Sequence, residues 1–110
     1  MKLAIIGSRS VTDINLAEYI PNGVTEIVSG GAMGVDSLAR EYARDKGIKL
    51  TEFLPDYRRY GRGAPLKRNE SIADYADKAL AFWNGSSKGT SYTVKLFRSL
   101  GKRVTLVTLC

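Results

Sequence analysis

Short apolar runs alternate with amphipathic stretches along all 110 residues of this chain. The runs KLAIIG, TEIVSGG and KALAFWNG each lead into glycine, which is typical of a buried strand that ends in a tight turn. Strands that alternate with helices are joined by right-handed crossovers and form a parallel sheet with helices on both faces. We therefore predict an α/β, Rossmann-like three-layer sandwich whose five-stranded parallel sheet has the order 3-2-1-4-5. The predicted strands are residues 2–6, 25–29, 48–53, 78–83 and 103–109.

Helical spacing of the apolar residues predicts four helices between these strands. The sequence Pro21-Asn22-Gly23 ends the first helix, and Gly47 is the expected C-cap of the second. The polar stretch 54–65 is predicted to be a loop, and a loop of this length in a compact domain is usually functional or mobile. The predicted helices are residues 13–20, 35–46, 66–76 and 89–100.

The residue types that are scarce in this chain exclude several functions. The sequence has no histidine, which excludes histidine-based acid–base catalysis, and a single cysteine, Cys110. Without histidine, and with one cysteine, we expect no metal site. A lone cysteine forms no intramolecular disulfide, so we expect a reducing, cytoplasmic location. The apolar opening LAIIG is too short for a secretory signal or a membrane span, so we expect no membrane contact.

The length of the chain predicts one domain over residues 1–110. A domain of this size buries a modest core, and association with a second copy would bury more apolar surface. We therefore expect a homo-oligomer, most simply a dimer.

Positive charge is concentrated in one part of the chain. The net charge is +6, and five cations with one carboxylate give residues 55–68 a net charge of +4. Such a cluster suits an anionic ligand or a nucleic-acid contact, although a charge run is often only a solvated surface. Aromatic residues are interleaved with these cations, and we predict that they form a lid over the ligand or stack on a base. The predicted lid residues are Tyr57, Arg58, Arg59 and Tyr60.

Three predicted strands end in loops rich in glycine, serine and charge. In a doubly wound sheet, ligands bind beyond the carboxyl ends of the strands, where the strand order reverses, here between the first and fourth strands. Glycine lets backbone N–H groups approach an anion closely, and a helix N-terminus favours negative charge. Each loop taken singly is equally well explained as a tight turn or a helix cap, and Asp36 as a partner of the helix dipole. The predicted phosphate-binding residues are Gly7, Ser8, Arg9, Gly30, Gly31, Gly34, Asp36, Gly85, Ser86, Ser87, Lys88, Gly89 and Thr90.

Neither of the two main phosphate-binding motifs is present in these loops. Lys88 precedes Gly89, whereas a Walker A motif places glycine before lysine. The sequence GGAMG lacks the G-x-G-x-x-G spacing of a dinucleotide fingerprint. ATP hydrolysis and hydride transfer are therefore poorly supported.

Taken together, the segments GSR, SGGAMGVDSLA, RN and ADKALAFWNGSSKGT resemble the YspA/YpsA-related branch of the SLOG superfamily. That superfamily also contains the DNA-processing protein DprA and the LOG-type phosphoribohydrolases. The resemblance covers nearly the whole chain. It implies a Rossmann-like domain that binds nucleotides or nucleotide derivatives, and it adds Arg68 and Asn69 to the predicted ligand-binding residues.

The resemblance to LOG-type enzymes also bears on catalysis. Their catalytic arginine lies nine positions before an aspartate that opens the fourth strand, and Arg68 and Asp77 keep this spacing. Their catalytic glutamate ends the motif PGGxGTxxE, but the matching position here is Thr93. Cleavage of an N-glycosidic bond usually depends on a carboxylate, so this difference argues against hydrolase activity. Asp36 and Glu70 are the other carboxylates considered for that role.

Three functions remain open from the sequence. The first is binding of a nucleotide-derived phosphate ligand, such as a nucleotide or ADP-ribose, by a sensor or processing domain. The second is hydrolysis of, or transfer from, a nucleoside phosphate, with Arg68 as its catalytic residue. The third is DprA-like binding of single-stranded nucleic acid, which the charge of +6 and the segment 57–62 favour.

Overall fold

The computed structural model describes residues 1–109, so the expectations that rest on Cys110 concern a residue outside the described part. Five parallel strands form one sheet in the order β3-β2-β1-β4-β5, as the sequence predicts. The central strands β1 and β4 pair in register, with Ile5 opposite Leu80. The strands are β1 (Lys2–Gly7), β2 (Glu26–Ser29), β3 (Lys49–Glu52), β4 (Lys78–Trp83) and β5 (Val104–Thr108), and the helices are α1 (Val35–Lys46), α2 (Tyr57–Tyr60), α3 (Ala64–Tyr75) and α4 (Lys88–Ser99).

The sheet is covered on both faces, because its central strands are apolar on both sides. On one face α1 packs Val35, Ala39 and Ala43 against Ile5 and Phe82. On the other face α3 and α4 pack against the alternate residues of the same strands; their main contributions are Ile72 and Phe97. This arrangement leaves the carboxyl ends of β1 and β4 between α1 on one side and α3 and α4 on the other.

The helix predicted for residues 13–20 is wrong. The structure has only a 3-10 turn, Leu16–Glu18, in the connection from β1 to β2. The Asn15 side chain accepts a hydrogen bond from the Ala17 N–H at 3.3 Å and so favours a local turn. An eight-residue helix has little intrinsic stability. The apolar residues of this segment reach the core without it, since Val11 and Leu16 are buried.

The loop predicted for residues 54–65 is also wrong in part. It contains the short helix α2, followed by a 3-10 turn at Gly61–Gly63, and α3 already begins at Ala64. Asp56 caps α2, because its carboxylate accepts a hydrogen bond from the Arg59 N–H at 3.2 Å. Pro65 fits the first turn of α3, where a helix N–H has no partner within the helix. No helix within residues 1–109 is long and apolar enough to cross a membrane.

Candidate functional site

A cleft of about 230 Å³ lies at the carboxyl ends of β1 and β2, beside the point between β1 and β4 where the strand order reverses. Its other walls come from the N-terminal parts of α1, α3 and α4, because the crossovers place these helices beside the strand ends. The loops after β1 and β4 are held together at this edge. The Ser8 N–H donates to the Phe82 carbonyl at 3.1 Å, and the Asn84 N–H donates to Ser8 Oγ at 3.4 Å. The cleft therefore has a floor fixed by the sheet itself.

The N-terminus of α4 presents backbone donors at this cleft. Ser87 is the N-cap, and its Oγ accepts a hydrogen bond from the Thr90 N–H at 3.4 Å. Asn84 Oδ1 accepts from the Ser86 and Ser87 N–H groups, each at 2.9 Å, which fixes the loop before the helix. The N–H of Gly89, a residue that lines the cleft, donates to no atom within residues 1–109. This unpaired donor lies at the positive end of the helix dipole, where an anion would be stabilised.

Arg68 extends from α3 across the ends of β2 and β3. Its Nη1 donates to the Gly30 carbonyl at 2.6 Å and its Nε to Asn69 Oδ1 at 2.7 Å. Burial lowers the pKa of the guanidinium, and the carboxylate of Asp36 opposes that effect. The pKa of an arginine lies so high that the group remains a cation. Arg9, on the loop after β1, adds a second and exposed cation to the same cleft.

Gly30 is the point at which the guanidinium of Arg68 and the carboxylate of Asp36 approach each other. A Cβ atom at this position would meet the Arg68 guanidinium and would lie 3.1 Å from Asp36 Oδ2. The two charged groups nevertheless form no ion pair among the residues that the structure describes. The absence of a side chain at Gly30 therefore leaves room for both groups at the floor of the cleft.

Asp36 lies in the first turn of α1 and is nearly buried. Burial raises the pKa of its carboxyl group, and the Ala32 N–H, which donates to Oδ2 at 3.1 Å, opposes that rise. The Ser29 hydroxyl and Arg68 also lower the pKa, although Ser29 Oγ makes no hydrogen bond of normal geometry within residues 1–109. The carboxylate occupies the N-terminus of α1, so α4 offers the better position for an anionic ligand.

The structure brings together ten of the fifteen residues predicted to bind phosphate or the ligand. They come from four separate segments of the chain, which only the tertiary fold places side by side. Nothing in the geometry identifies a bound group, so their binding role stays a prediction. These ten residues are Gly7, Ser8, Arg9, Gly30, Asp36, Arg68, Asn69, Ser87, Gly89 and Thr90.

The other five predicted residues do not line this cleft. Ser86 and Lys88 line a separate groove on the outer side of α4, because successive residues of a helix point in different directions. Gly31, Gly34 and Gly85 have positive φ and shape the turns instead.

None of the predicted lid residues Tyr57, Arg58, Arg59 and Tyr60 lines this cleft either. They form α2, and Tyr60 lines an adjoining cleft of about 390 Å³ that shares Arg68 with the first. In this structure α2 therefore does not close over the ends of β1 and β4.

Several apolar residues of the cleft were not predicted from the sequence. Met33 is 73 % exposed and Leu66 is 43 % exposed, and both line the cleft. An exposed methionine inside a glycine-rich loop is a signal that sequence reasoning can use, because such a residue has no core to fill. Leu66 carries no comparable signal, since it fits the apolar stripe of a helix.

Thr93 and Asp77 were singled out by comparison with LOG-type enzymes, and the structure separates them. Thr93 lines the cleft but is buried, and its hydroxyl donates to the Gly89 carbonyl at 2.8 Å. Asp77 lies at the opposite end of the sheet, where its carboxylate accepts a hydrogen bond from the Lys2 N–H at 2.7 Å. Within residues 1–109, no cluster of histidine, cysteine, aspartate and glutamate has the arrangement of a metal site.

The family model YAcAr, described as the YspA, cpYpsA-related SLOG family, matches residues 1–60, which is more than half of the chain. The chain belongs to this family. Membership in YAcAr connects it, at a coarse level, with nucleotide-related binding or processing and with small-molecule ligands.

The YAcAr match covers only part of the cleft. Arg9, Gly30 and Asp36 lie within the matched residues, whereas Arg68 and the N-terminus of α4 lie beyond them. Searches of curated proteins and of solved structures give no match.

Proposed function

We propose that the cleft binds the phosphate-bearing part of a nucleotide-derived ligand. The domain would then act as a sensor of that ligand or as a domain that processes it. The observation that carries this proposal is the unpaired Gly89 N–H at the N-terminus of α4, which faces a cleft that also holds Arg9 and Arg68. Backbone donors, a helix dipole and two guanidinium groups suit a phosphate, because hydrogen bonds between charged donors and phosphate oxygens are strong.

The size of the site supports a ligand with two parts. Ligand pockets usually enclose roughly 300–1,000 Å³. The cleft of about 230 Å³ falls below that range and fits a sugar phosphate better than a whole nucleotide. The adjoining cleft contains Phe53, Leu54 and Tyr60, and it offers apolar and aromatic surface for a base. Arg68 lines both clefts, so a single ligand would contact it from either side.

Gly89→Glu provides the sharpest test of phosphate binding. A Cβ atom at Gly89 meets no other atom within 4 Å, and a carboxylate in the first turn of a helix is favourable, so we expect the variant to fold. Its negative charge would repel a phosphate. The wild-type protein is heated with nucleoside mono- and diphosphates and with ADP-ribose. At a hundred times its dissociation constant, a true ligand raises the melting temperature by about 10 °C, and we expect Gly89→Glu to abolish that rise.

Gly63→Glu is the matched control. Gly63 is an exposed N-cap of α3, its Cβ position is also open, and it lines neither cleft. The same charge therefore enters at another helix N-terminus, and the response to the ligand should persist. A wild-type protein whose melting temperature no compound changes would contradict the proposal, as would a Gly89→Glu variant that responds normally.

One observation favours a second candidate, hydrolysis of the N-glycosidic bond of a nucleoside phosphate. Asp36 is a nearly buried carboxylate in the cleft, and its pKa is raised by burial, as is common for acid–base groups. Glu70, the other carboxylate considered, lines only the adjoining cleft and pairs with Lys67 at 3.5 Å. Water would add to the sugar carbon as the bond to the base breaks, and the proton of that water would pass through Asp36 to the base.

Incubation with nucleoside monophosphates tests this second candidate. It predicts release of free base together with ribose phosphate, and loss of that release in Asp36→Ala. If the wild-type protein releases no base above a protein-free blank while it still binds ligand in the thermal assay, the domain is a binder and not a hydrolase.

A further inference from the structure

The strand β5 forms an open edge of the sheet, on the side away from β3. The Arg103 carbonyl accepts a hydrogen bond from the Ala79 N–H at 3.0 Å, and the Leu109 N–H donates to the Trp83 carbonyl at 2.8 Å. Backbone groups alternate in direction along a strand, so the odd-numbered residues of β5 face β4. The N–H and C=O groups of Val104, Leu106 and Thr108 therefore face away from the sheet.

A groove runs beside this edge, between β5 and the outer side of α4. It consists of two clefts of about 280 Å³ and 130 Å³, which share Trp83, Ser91 and Lys95. Leu106, which is 37 % exposed, forms part of its apolar wall. We call this feature the basic edge groove, and its remaining lining residues are Ser86, Ser87, Lys88, Tyr92, Val94 and Arg98.

The charges around β5 have a single sign. Lys88, Lys95 and Arg98 line the basic edge groove, and Lys78 and Arg103 line a third cleft on the opposite face of the strand. No aspartate or glutamate lines any of these three clefts. The ion pairs found within residues 1–109 involve other cations. The open edge is therefore surrounded by positive charge that the rest of the described chain does not neutralise.

We propose that the basic edge groove binds an extended, acidic peptide segment of a partner protein. The segment adds as a further strand along β5 and hydrogen-bonds to the outward groups of Val104, Leu106 and Thr108. Its carboxylates face Lys95 and Arg98, and its apolar side chains contact Leu106 and Trp83. Of its lining residues the groove shares only Ser87 with the cleft at the ends of β1 and β2, and the proposal does not depend on the function assigned to that cleft.

The same features argue against the two other occupants. A second copy of this chain would bring its own Lys95 and Arg98 toward the first pair, and like charges on facing edges oppose pairing. A single-stranded nucleic acid would match the cations and could stack on Trp83. It does not, however, carry the alternating donors and acceptors that the outward edge of a strand requires.

Trp83 provides a direct measurement, because it is the only tryptophan in the chain. Its indole N–H donates to the Ser87 carbonyl at 2.9 Å, which holds the ring at the groove. The probe is an eight-residue acetylated peptide that alternates glutamate and valine, titrated against the full chain at low ionic strength. We expect saturable quenching or a spectral shift of tryptophan fluorescence, and no change with a peptide that alternates lysine and valine.

Two variants test the backbone and charge contributions separately. Leu106→Pro removes an N–H that faces outward and leaves the hydrogen bonds to β4 intact. An edge strand tolerates proline at such a position. The variant should weaken peptide binding about tenfold, because one backbone hydrogen bond to the peptide is lost. Lys95→Glu should weaken it by a similar factor without any change in the backbone. Lys46→Glu is the matched control, since Lys46 is an exposed lysine at the end of α1, on the other face of the sheet. We expect this variant to bind the acidic peptide as the wild-type protein does.

Each alternative gives a distinct result that would overturn the proposal. An acidic peptide that leaves the fluorescence of Trp83 unchanged excludes the site. Oligo(dT) that displaces the peptide, or binds where the peptide does not, assigns the groove to nucleic acid. If sedimentation gives the mass of a dimer for the wild-type protein and of a monomer for Leu106→Pro, the edge binds a second copy of this chain. If Leu106→Pro fails to fold, the comparison of peptide binding by Lys95→Glu and Lys46→Glu still tests the proposal, and equal binding by these two variants would overturn it.

Discussion

At the residue scale, Asp36 destabilises the fold in its charged form. Burial raises the pKa of its carboxyl group above the usual value of 3.8, so the folded state binds this proton more tightly than the unfolded state does. Stability therefore falls as the pH rises from the unfolded pKa through the folded pKa, and the full cost is reached above the folded pKa. A residue whose charged form costs stability, and which lies at the floor of a cleft, is typical of a functional position.

Asp36→Asn should raise the melting temperature of the ligand-free protein at pH 7. An asparagine oxygen can still accept from the Ala32 N–H, and no buried charge remains. The gain should shrink as the pH falls and vanish below about 3.8, where the aspartate is protonated in both states. Thermal unfolding from pH 7 to pH 3 measures this difference.

Asp45→Asn is the control for that measurement, because the Asp45 side chain is 68 % exposed at the other end of the same helix. We expect it to change stability little at any pH. An Asp36→Asn variant that is less stable than wild type at pH 7 would mean that the carboxylate contributes more through its contacts than burial costs.

At the scale of elements, the turn between β2 and α1 sets the position of the cleft. Gly34 is the N-cap of α1 with φ of 72°, and a Cβ atom there would lie 2.5 Å from the Arg9 carbonyl oxygen. The loop after β1 and the start of α1 therefore pack backbone against backbone. This close approach brings Arg9 and Asp36 to the same cleft.

Gly34→Ala should destabilise the protein by about 3 kcal/mol, because it combines a strained φ with a clash against a backbone atom that cannot move freely. Gly47→Ala is matched in φ, at 66°, but its Cβ position is open. It should cost only about 1 kcal/mol, the penalty of a left-handed conformation alone. Urea denaturation of both variants gives the two values, and equal losses would show that packing against Arg9 contributes nothing.

At the scale of the whole molecule, Glu26 connects elements that lie far apart in the sequence. It is a buried residue of β2, and its Oε2 accepts hydrogen bonds from Tyr75 Oη at 2.5 Å and Thr51 Oγ1 at 2.7 Å. Lys49 Nζ lies 3.5 Å from Oε1. The Tyr75 hydroxyl, then Thr51 and Lys49, hold the pKa of this carboxyl group below its usual value. One carboxylate thus joins β2, β3 and α3 at the end of the sheet opposite the cleft that Arg68 and Asp36 line.

This cluster should contribute to the acid sensitivity of the fold. Because the folded pKa of Glu26 is lowered, its contribution is fully present above the unfolded value of about 4.5 and is lost as the pH falls further. Glu26→Gln should therefore be less stable than wild type at pH 7, and the difference should narrow below pH 4.5. A difference that stays constant from pH 7 to pH 3 would show that ionisation of Glu26 does not matter.

Local patterns in the sequence were enough to predict the order of the strands and the position of the cleft. Apolar runs that end in glycine define strands buried on both faces, and the right-handed crossover then leaves few topologies. The order 3-2-1-4-5 and a cleft at the reversal point follow from these local rules. So does the presence of Gly30, Asp36, Ser87 and Gly89 at that edge, because each lies in the loop that follows a strand or in the first turn of the next helix.

Which side chains line the cleft depends, by contrast, on how the elements pack together. Lys88 lines the groove beside β5 while Gly89 lines the cleft, since helical geometry separates residues that are adjacent in sequence, and Ser87, which precedes the helix, lines both. The segment 13–20 forms one turn rather than a helix, because a short helix has little intrinsic stability and the Asn15 side chain favours a local turn. Arg68 reaches the Gly30 carbonyl across 38 residues of chain, and such a contact depends on how α3 packs against the sheet. Glycine-rich loops are local features and are readable from sequence, whereas the partners of a long side chain depend on the packing of the whole domain.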